Sequence, residues 1–121
     1  MIGIYGGTFD PVHYGHLRTA LEIKEKFSLT EIRLIPCSQP AHRETPKVTA
    51  KMRVDMLKLA VNNENFIVDT RELDRDGASY MIDTLKSLRL ENPDKSLLLI
   101  IGTDAFQGLT SWFQWQQLFD Y

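Results

Sequence analysis

Residues 6–17, GGTFDPVHYGHL, constrain this chain more than any other stretch, because they join an apolar run to an amphipathic helix through a glycine turn. Ahead of them, Met1-Ile2-Gly3-Ile4-Tyr5 is short, apolar and partly β-branched, as a buried parallel strand is. Gly6 and Gly7 let a ligand approach the backbone with no Cβ in the way. Asp10-Pro11 then breaks the extended run, and Leu17, Ala20 and Leu21 set a helical period whose first turn falls near residues 14–16. Free amides and the positive end of the helix dipole point into the space of the glycine turn, and such a place binds anions.

His13 and His16 sit at that helix mouth, three residues apart, a spacing that puts both imidazoles on one face of a first turn. The helix terminus disfavours imidazolium and a bound polyphosphate favours it, yet in either state a ring N–H can donate to a phosphate oxygen.

Downstream, the helix over residues 14–26 is followed by Glu31-Ile32-Arg33-Leu34-Ile35-Pro36, a strand closed by proline, so the chain is β-α-β by position 36. Such units form parallel sheets whose ligands gather at the carboxyl ends of the strands. Residues 37–49 lack apolar period and contain Pro40 and Pro46, which predicts a long loop. A helix is predicted over residues 51–62, with Thr49 as N-cap, Met52, Met56, Leu59 and Ala60 on its apolar face and Arg53 on its polar side. Residues 66–69 follow as a third strand, and the charged stretch 70–77 as a solvated surface loop. Met81, Leu85 and Leu88 stripe a helix capped by Ser79 and stopped at Asn92-Pro93. Residues 97–101 are uninterruptedly apolar, as a central parallel strand buried on both faces requires. Gly102-Thr103-Asp104 then makes a second small-residue turn at the same end of the sheet, and a final helical piece carries Trp112, Phe113, Trp115, Leu118 and Phe119.

At 121 residues there is room for one domain, 1–121. Fourteen basic against sixteen acidic residues leave a net charge of −2, which excludes the footprint of a general nucleic-acid or anionic-membrane binder and makes any anion site local. Cys37 has no second cysteine to pair with, and no signal peptide precedes the first strand, so a cytoplasmic setting is expected.

GGTFDPVHYGHL resembles the signature of the nucleotidyltransferase superfamily, whose core H-x-G-H is here His13-Tyr14-Gly15-His16, in the form carried by bacterial nicotinate-nucleotide adenylyltransferases. The resemblance implies a Rossmann-like α/β fold, a parallel sheet of four strands with helices on both faces. It also implies transfer of the adenylyl group of ATP to nicotinate mononucleotide, giving deamido-NAD and pyrophosphate for NAD biosynthesis, with Mg²⁺ carried mainly by the ATP phosphates. It assigns ATP to Gly6, Gly7, Thr8, Phe9, His13, His16, Gly102 and Asp104. The segment Pro40-Ala41-His42-Arg43 is similar to the family's Pro-Pro-His-Arg, which gives phosphate and acceptor contacts to His42 and Arg43 and makes His13, His16 and Arg43 the catalytic set. Ser79, Tyr80 and Thr84 match an S-Y-T region that reads the pyridine substituent, and Trp112 matches a tryptophan that stacks on the ring, leaving Trp115 for packing. No I-S-S-T-x-I-R segment is present, so the chain resembles only the N-terminal portion of the family's length and is incomplete at its C-terminal end. A sheet left short of its last strand invites self-association. Two alternatives stay open: an enzyme of the same superfamily with another acceptor, such as phosphopantetheine, and a nucleotide-binding fragment with impaired catalysis.

Overall fold

Apolar runs bounded by turn residues become a four-stranded parallel sheet in the computed structural model, which describes residues 1–38, 49–61, 66–75 and 79–121. The elements follow as β1 (Ile2–Gly7), α1 (Tyr14–Lys26), β2 (Glu31–Pro36), α2 (Ala50–Ala60), β3 (Phe66–Val68), α3 (Met81–Glu91), β4 (Leu97–Ile100) and α4 (Thr103–Gln107). Two 3₁₀ turns, Leu109–Ser111 and Trp115–Asp120, complete the described chain. Strand order is β3-β2-β1-β4, and every pairing is parallel. In such a sheet the order reverses between β1 and β4, and the crevice at the carboxyl ends of those two strands is where ligands collect.

Alternation along the strands divides the core into two layers. Ile32 and Leu34 face Ala20 of α1 and Leu57 of α2, together with Phe9 and Leu29. Ile2, Ile4 and Ile35 face Ile82, Leu85 and Leu88 of α3, with Leu118 from the last 3₁₀ turn. Helices therefore cover both faces of the sheet. Gly3 lies inside the first layer, where a Cβ would stand 2.9 Å from Leu29 Cδ1 and 3.0 Å from Ile32 Cγ1. Gly3→Ala should accordingly lower stability by about 1–3 kcal/mol through overpacking. Urea unfolding would check this, and an unchanged midpoint would show that the layer has slack.

Several expected details differ. In α2 the buried residues are Arg53, Val54 and Leu57, while Met52 and Leu59 are exposed. Two apolar stripes compete in that helix, and the one containing an arginine is the one the sheet covers. The charged run after β3 is not a solvated face either. Asp69 and Glu72 are buried, and Arg71 binds Asp69, Ser87 and Glu91 with N···O distances of 2.7–3.0 Å. Arg33 adds a 3.2 Å contact to Asp69, so the carboxylate ties β2 to the end of β3, and Arg71 carries the link on to α3. Burial pushes the Asp69 carboxyl up, but the Arg71 hydrogen bonds and the two guanidinium charges outweigh it and hold it below the usual range.

The C-terminal stretch is not a single helix. α4 stops at Gly108, and Gln114 takes a left-handed φ of 53° between the two 3₁₀ turns. That reversal brings Trp112 and Trp115 onto the same layer, against α3 and β1, whereas opposite facings were expected.

Candidate active site

β1 carries both glycines inside the strand rather than after it. Gly7 pairs with Pro36 and accepts from the Cys37 amide at 3.0 Å, so the turn begins at Thr8. Phe9 occupies the left-handed region at φ 49°, an unusual conformation for a non-glycine residue, and its ring is buried under α1. A Cβ on Gly7 would lie 3.3 Å from that ring. Phe9 thus shapes the turn from beneath, and only its backbone is left for a ligand.

His13 and His16 are stacked, with ring centroids 3.7 Å apart and planes 24° from parallel. Gly15 makes this stack fit, because a Cβ there would come within 3.1 Å of the His13 ring. His13 is the N-cap of α1 by position, and its backbone N–H donates to His16 Nδ1 at 3.1 Å. With Nδ1 accepting, the neutral His16 ring carries its proton on Nε2 and keeps that donor for a ligand. Desolvation, reinforced by the neighbouring His13, lowers the His16 pKa. Phe9 meets the His16 ring edge-on at 5.1 Å and Tyr5 at 6.3 Å, which holds its plane.

Beneath the turn lies Arg53, expected on the polar side of its helix and found buried instead. Arg53 is 1% exposed, and its Nη1 donates to the Thr8 carbonyl at 2.7 Å and the Cys37 carbonyl at 2.8 Å. One guanidinium from α2 therefore locks the turn after β1 to the end of β2. Thr8 Oγ1 also lies 3.6 Å from Cys37 Sγ. Burial pushes the Cys37 thiol up, so it is a packed side chain rather than an activated nucleophile.

The turn after β4 sits beside the turn after β1, since Tyr5 pairs with Ile100. Gly102 is the exposed N-cap of α4 and Asp104 lies exposed in its first turn. On the other face, a Cβ on Gly6 would stand 2.9 Å from Met81 Cε at the start of α3. Tyr80, not Ser79, is the N-cap there, and its ring lies 4.9 Å from that of Phe113. Ser79 instead accepts from the Ser38 amide at 3.3 Å. Thr84 is fully buried; its hydroxyl donates to Glu72 at 2.5 Å and accepts from Arg75 at 2.6 Å. The Thr84 hydroxyl is thus engaged within the protein. Trp112 is half-buried against the α3 layer. His42 and Arg43 lie outside the described residues.

Two glycines, a stacked histidine pair and an exposed aspartate thus converge at the point where a parallel α/β sheet reverses its strand order. These features define a doubly wound α/β domain with a glycine-bearing strand end and a helix N-terminus at its switch point. The chain belongs to the cytidylyltransferase-like family, whose model matches residues 4–121. Among curated proteins it is 55% identical, over 98% of its length, to the probable nicotinate-nucleotide adenylyltransferase of Methylococcus capsulatus, and it covers 58% of that protein. It is 52% identical to the protein of the same name from Pseudomonas aeruginosa, over 99% of this chain and 57% of the relative. The chain therefore spans a little over half the length of the curated relatives it matches. The fold is that of Plasmodium falciparum nicotinic acid mononucleotide adenylyltransferase complexed with NaAD, at TM-score 0.84 and 22% identity over 97% of this chain and 58% of that one. Among the described residues no helix is long and apolar enough to cross a membrane, and no three His, Cys, Asp or Glu gather as a metal site.

Proposed function

We propose that this chain is the nucleotide-handling portion of an adenylyltransferase that joins the AMP moiety of ATP to nicotinate mononucleotide. The observation that carries the reading is the His13–His16 stack over the Gly6-Gly7 turn, with His16 Nε2–H free to donate. The names of the relatives support the acceptor, and the single, half-buried cysteine fits a cytoplasmic setting. In this reaction a phosphate oxygen of the mononucleotide attacks the α-phosphorus of ATP in line. A new P–O bond forms, the bond to the β-phosphate breaks, and pyrophosphate leaves with its electron pair. No covalent protein intermediate is needed, so catalysis reduces to positioning and charge stabilisation.

Each residue then has a task. Gly6 and Gly7 admit the phosphates, and His13 and His16 donate to them. Asp104 accepts from ribose hydroxyls or the adenine amino group, and Gly102 leaves room for that approach. His42 and Arg43 offset the developing charge. Ser79 and Tyr80 flank the acceptor, and the indole of Trp112 is available to its flat ring. Mg²⁺ enters on the polyphosphate with water, as a hard cation that prefers phosphate oxygens, and supplies charge neutralisation there.

Pyrophosphate release by the 121-residue chain with Mg-ATP, offered nicotinate mononucleotide, nicotinamide mononucleotide and phosphopantetheine in parallel, tests the reading. Release with nicotinate mononucleotide alone is expected. Preference for phosphopantetheine would overturn the acceptor assignment. ATP binding without turnover would place the chain as a nucleotide-binding portion that needs the remaining length of its relatives.

A further inference from the structure

Arg53 does more than join two segments of backbone. Its Nη1 carries two protons, and from a side chain 1% exposed they go to the Thr8 carbonyl at 2.7 Å and the Cys37 carbonyl at 2.8 Å. Both peptides are trans, the cis bond of this region being Asp10-Pro11. A planar trans peptide holds its C=O and its N–H in opposite directions, so drawing the carbonyl toward Arg53 turns the amide of the same peptide away from it. The Cys37–Ser38 peptide displays the result. Its carbonyl goes to Arg53, and its N–H, at Ser38, donates to Ser79 Oγ at 3.3 Å. The Thr8–Phe9 peptide is pinned by the same nitrogen, but its N–H, at Phe9, has no acceptor among the described residues. A backbone donor left in that state calls for a partner, and this one stands between Gly7 and His13.

Phe9 itself sits at φ 49°, a left-handed conformation that a bulky residue keeps only when its surroundings over-determine it. On one side the Arg53 bond fixes the peptide before it. On the other, its ring is 3% exposed and meets Tyr5 at 5.8 Å and His16 at 5.1 Å, edge-on in both cases. Contacts therefore run without a break from Arg53 through the Thr8–Phe9 peptide and the Phe9 ring to the His16 imidazole. We propose that Arg53 is a positioning residue for the nucleotide phosphates: it turns the Phe9 amide toward them as a donor and, through the Phe9 ring, keeps His16 in place. As a phosphate site this rests on the adenylyl-transfer reading given above.

The test is calorimetric binding of Mg-ATP to the unmodified chain, R53K and G3A, with hydrogen exchange at the Phe9 amide followed by NMR, all at a temperature where each variant is folded. Lysine keeps the charge on a tetrahedral head without the planar guanidinium, so it holds the Thr8 carbonyl less firmly. G3A controls for stability alone, since its added methyl meets Leu29, Ile32 and Ile100 and not the turn. R53K is expected to bind Mg-ATP about 10-fold more weakly, the low end of what removal of an outer-shell partner costs at metal sites, and G3A as tightly as the parent. Mg-ATP should also slow exchange at the Phe9 amide in the parent, and less so in R53K. An R53K affinity indistinguishable from the parent's, or equal weakening in R53K and G3A, would reduce Arg53 to structural support and overturn the proposal. If R53K does not fold, the parent decides: protection of the Phe9 amide on adding Mg-ATP upholds its assigned direction, while an amide protected beforehand, or untouched by the nucleotide, refutes it. Absence of Mg-ATP binding by the parent would instead overturn the functional reading, and this role with it.

Discussion

Replacing Arg53 with leucine should lower stability by about 3–5 kcal/mol, since two backbone carbonyls lose their donor at about 1–3 kcal/mol each. The reason is local. Leucine roughly fills the methylene portion of the cavity, but the carbonyls of Thr8 and Cys37 would remain, dry and without the donor that now sits 2.7–2.8 Å from each. Replacement of a buried ion by an apolar residue is tolerated where its partners are replaced too, and backbone carbonyls cannot be replaced. For a domain of this size the loss corresponds to a drop of about 10–20 °C in Tm. Arg53→Lys should fall between the two, since an ammonium keeps the charge but lacks the planar fork that serves two carbonyls at once. Thermal unfolding of both variants checks this, and the lysine variant, being the milder, also reports on function: its turn should loosen at Thr8 and bind ATP more weakly. A Tm within a degree or two of the parent for Arg53→Leu would mean that the turn and β2 are held by other contacts.

Arg53 also shows where reading the sequence stops. Local periods place elements well: α1 and β2 fall at residues 14–26 and 31–36 as expected, and the glycines and the proline mark the sheet, whereas the apolar run 97–101, expected as a central strand buried on both faces, is β4 at the edge of the sheet and mostly half-buried. Choice of helix face is a tertiary decision. In α2 the stripe of Met52, Met56 and Leu59 is locally as good as that of Val54 and Leu57, and a guanidinium within the second stripe makes it look polar. It is buried because two carbonyls distant in sequence converge on it. The same holds for Glu72, whose partners Thr84 and Arg75 lie on either side of the α3 start, and for Asp69, which unites Arg33 and Arg71. A charge run looks solvated until its partners are placed, and nothing in a linear pattern places them. The histidine stack, by contrast, was legible, because a three-residue spacing at a helix start is itself geometry. That both tryptophans pack against one layer is not legible in the sequence, because their facing depends on the left-handed Gln114 between them, and no residue type in that stretch announces such a turn.

His16 supports the second large effect, and its two ring nitrogens allow the catalytic part to be separated from the structural one. Nδ1 closes the helix cap by accepting from His13 N–H, and Nε2–H is the donor assigned to the nucleotide phosphates. His16→Ala removes both. His16→Gln removes only the second, because a glutamine three residues after the N-cap can reach back to the same N–H in a capping box. Both variants should lose at least about 2.7 kcal/mol of transition-state stabilisation, roughly 100-fold in kcat, by analogy with deleting one preorganised donor. Only the alanine variant should also lose the cap, about 1 kcal/mol of stability. Acid should imitate part of this. Since the folded His16 pKa lies below its ordinary value, the unfolded chain takes up the proton first. Its contribution to stability is complete above pH about 6.5 and falls as the pH drops through the unfolded and then the folded value. Protonation puts a hydrogen on Nδ1 and breaks the cap bond. The stability difference between the parent and His16→Gln should therefore shift toward the glutamine variant on acidification, because glutamine does not titrate. Parallel unfolding curves at neutral and mildly acid pH measure that shift. Turnover that survives His16→Gln undiminished would reassign the phosphate donor to His13, while a constant stability difference across pH would show that the His16 ring is not held neutral by the fold.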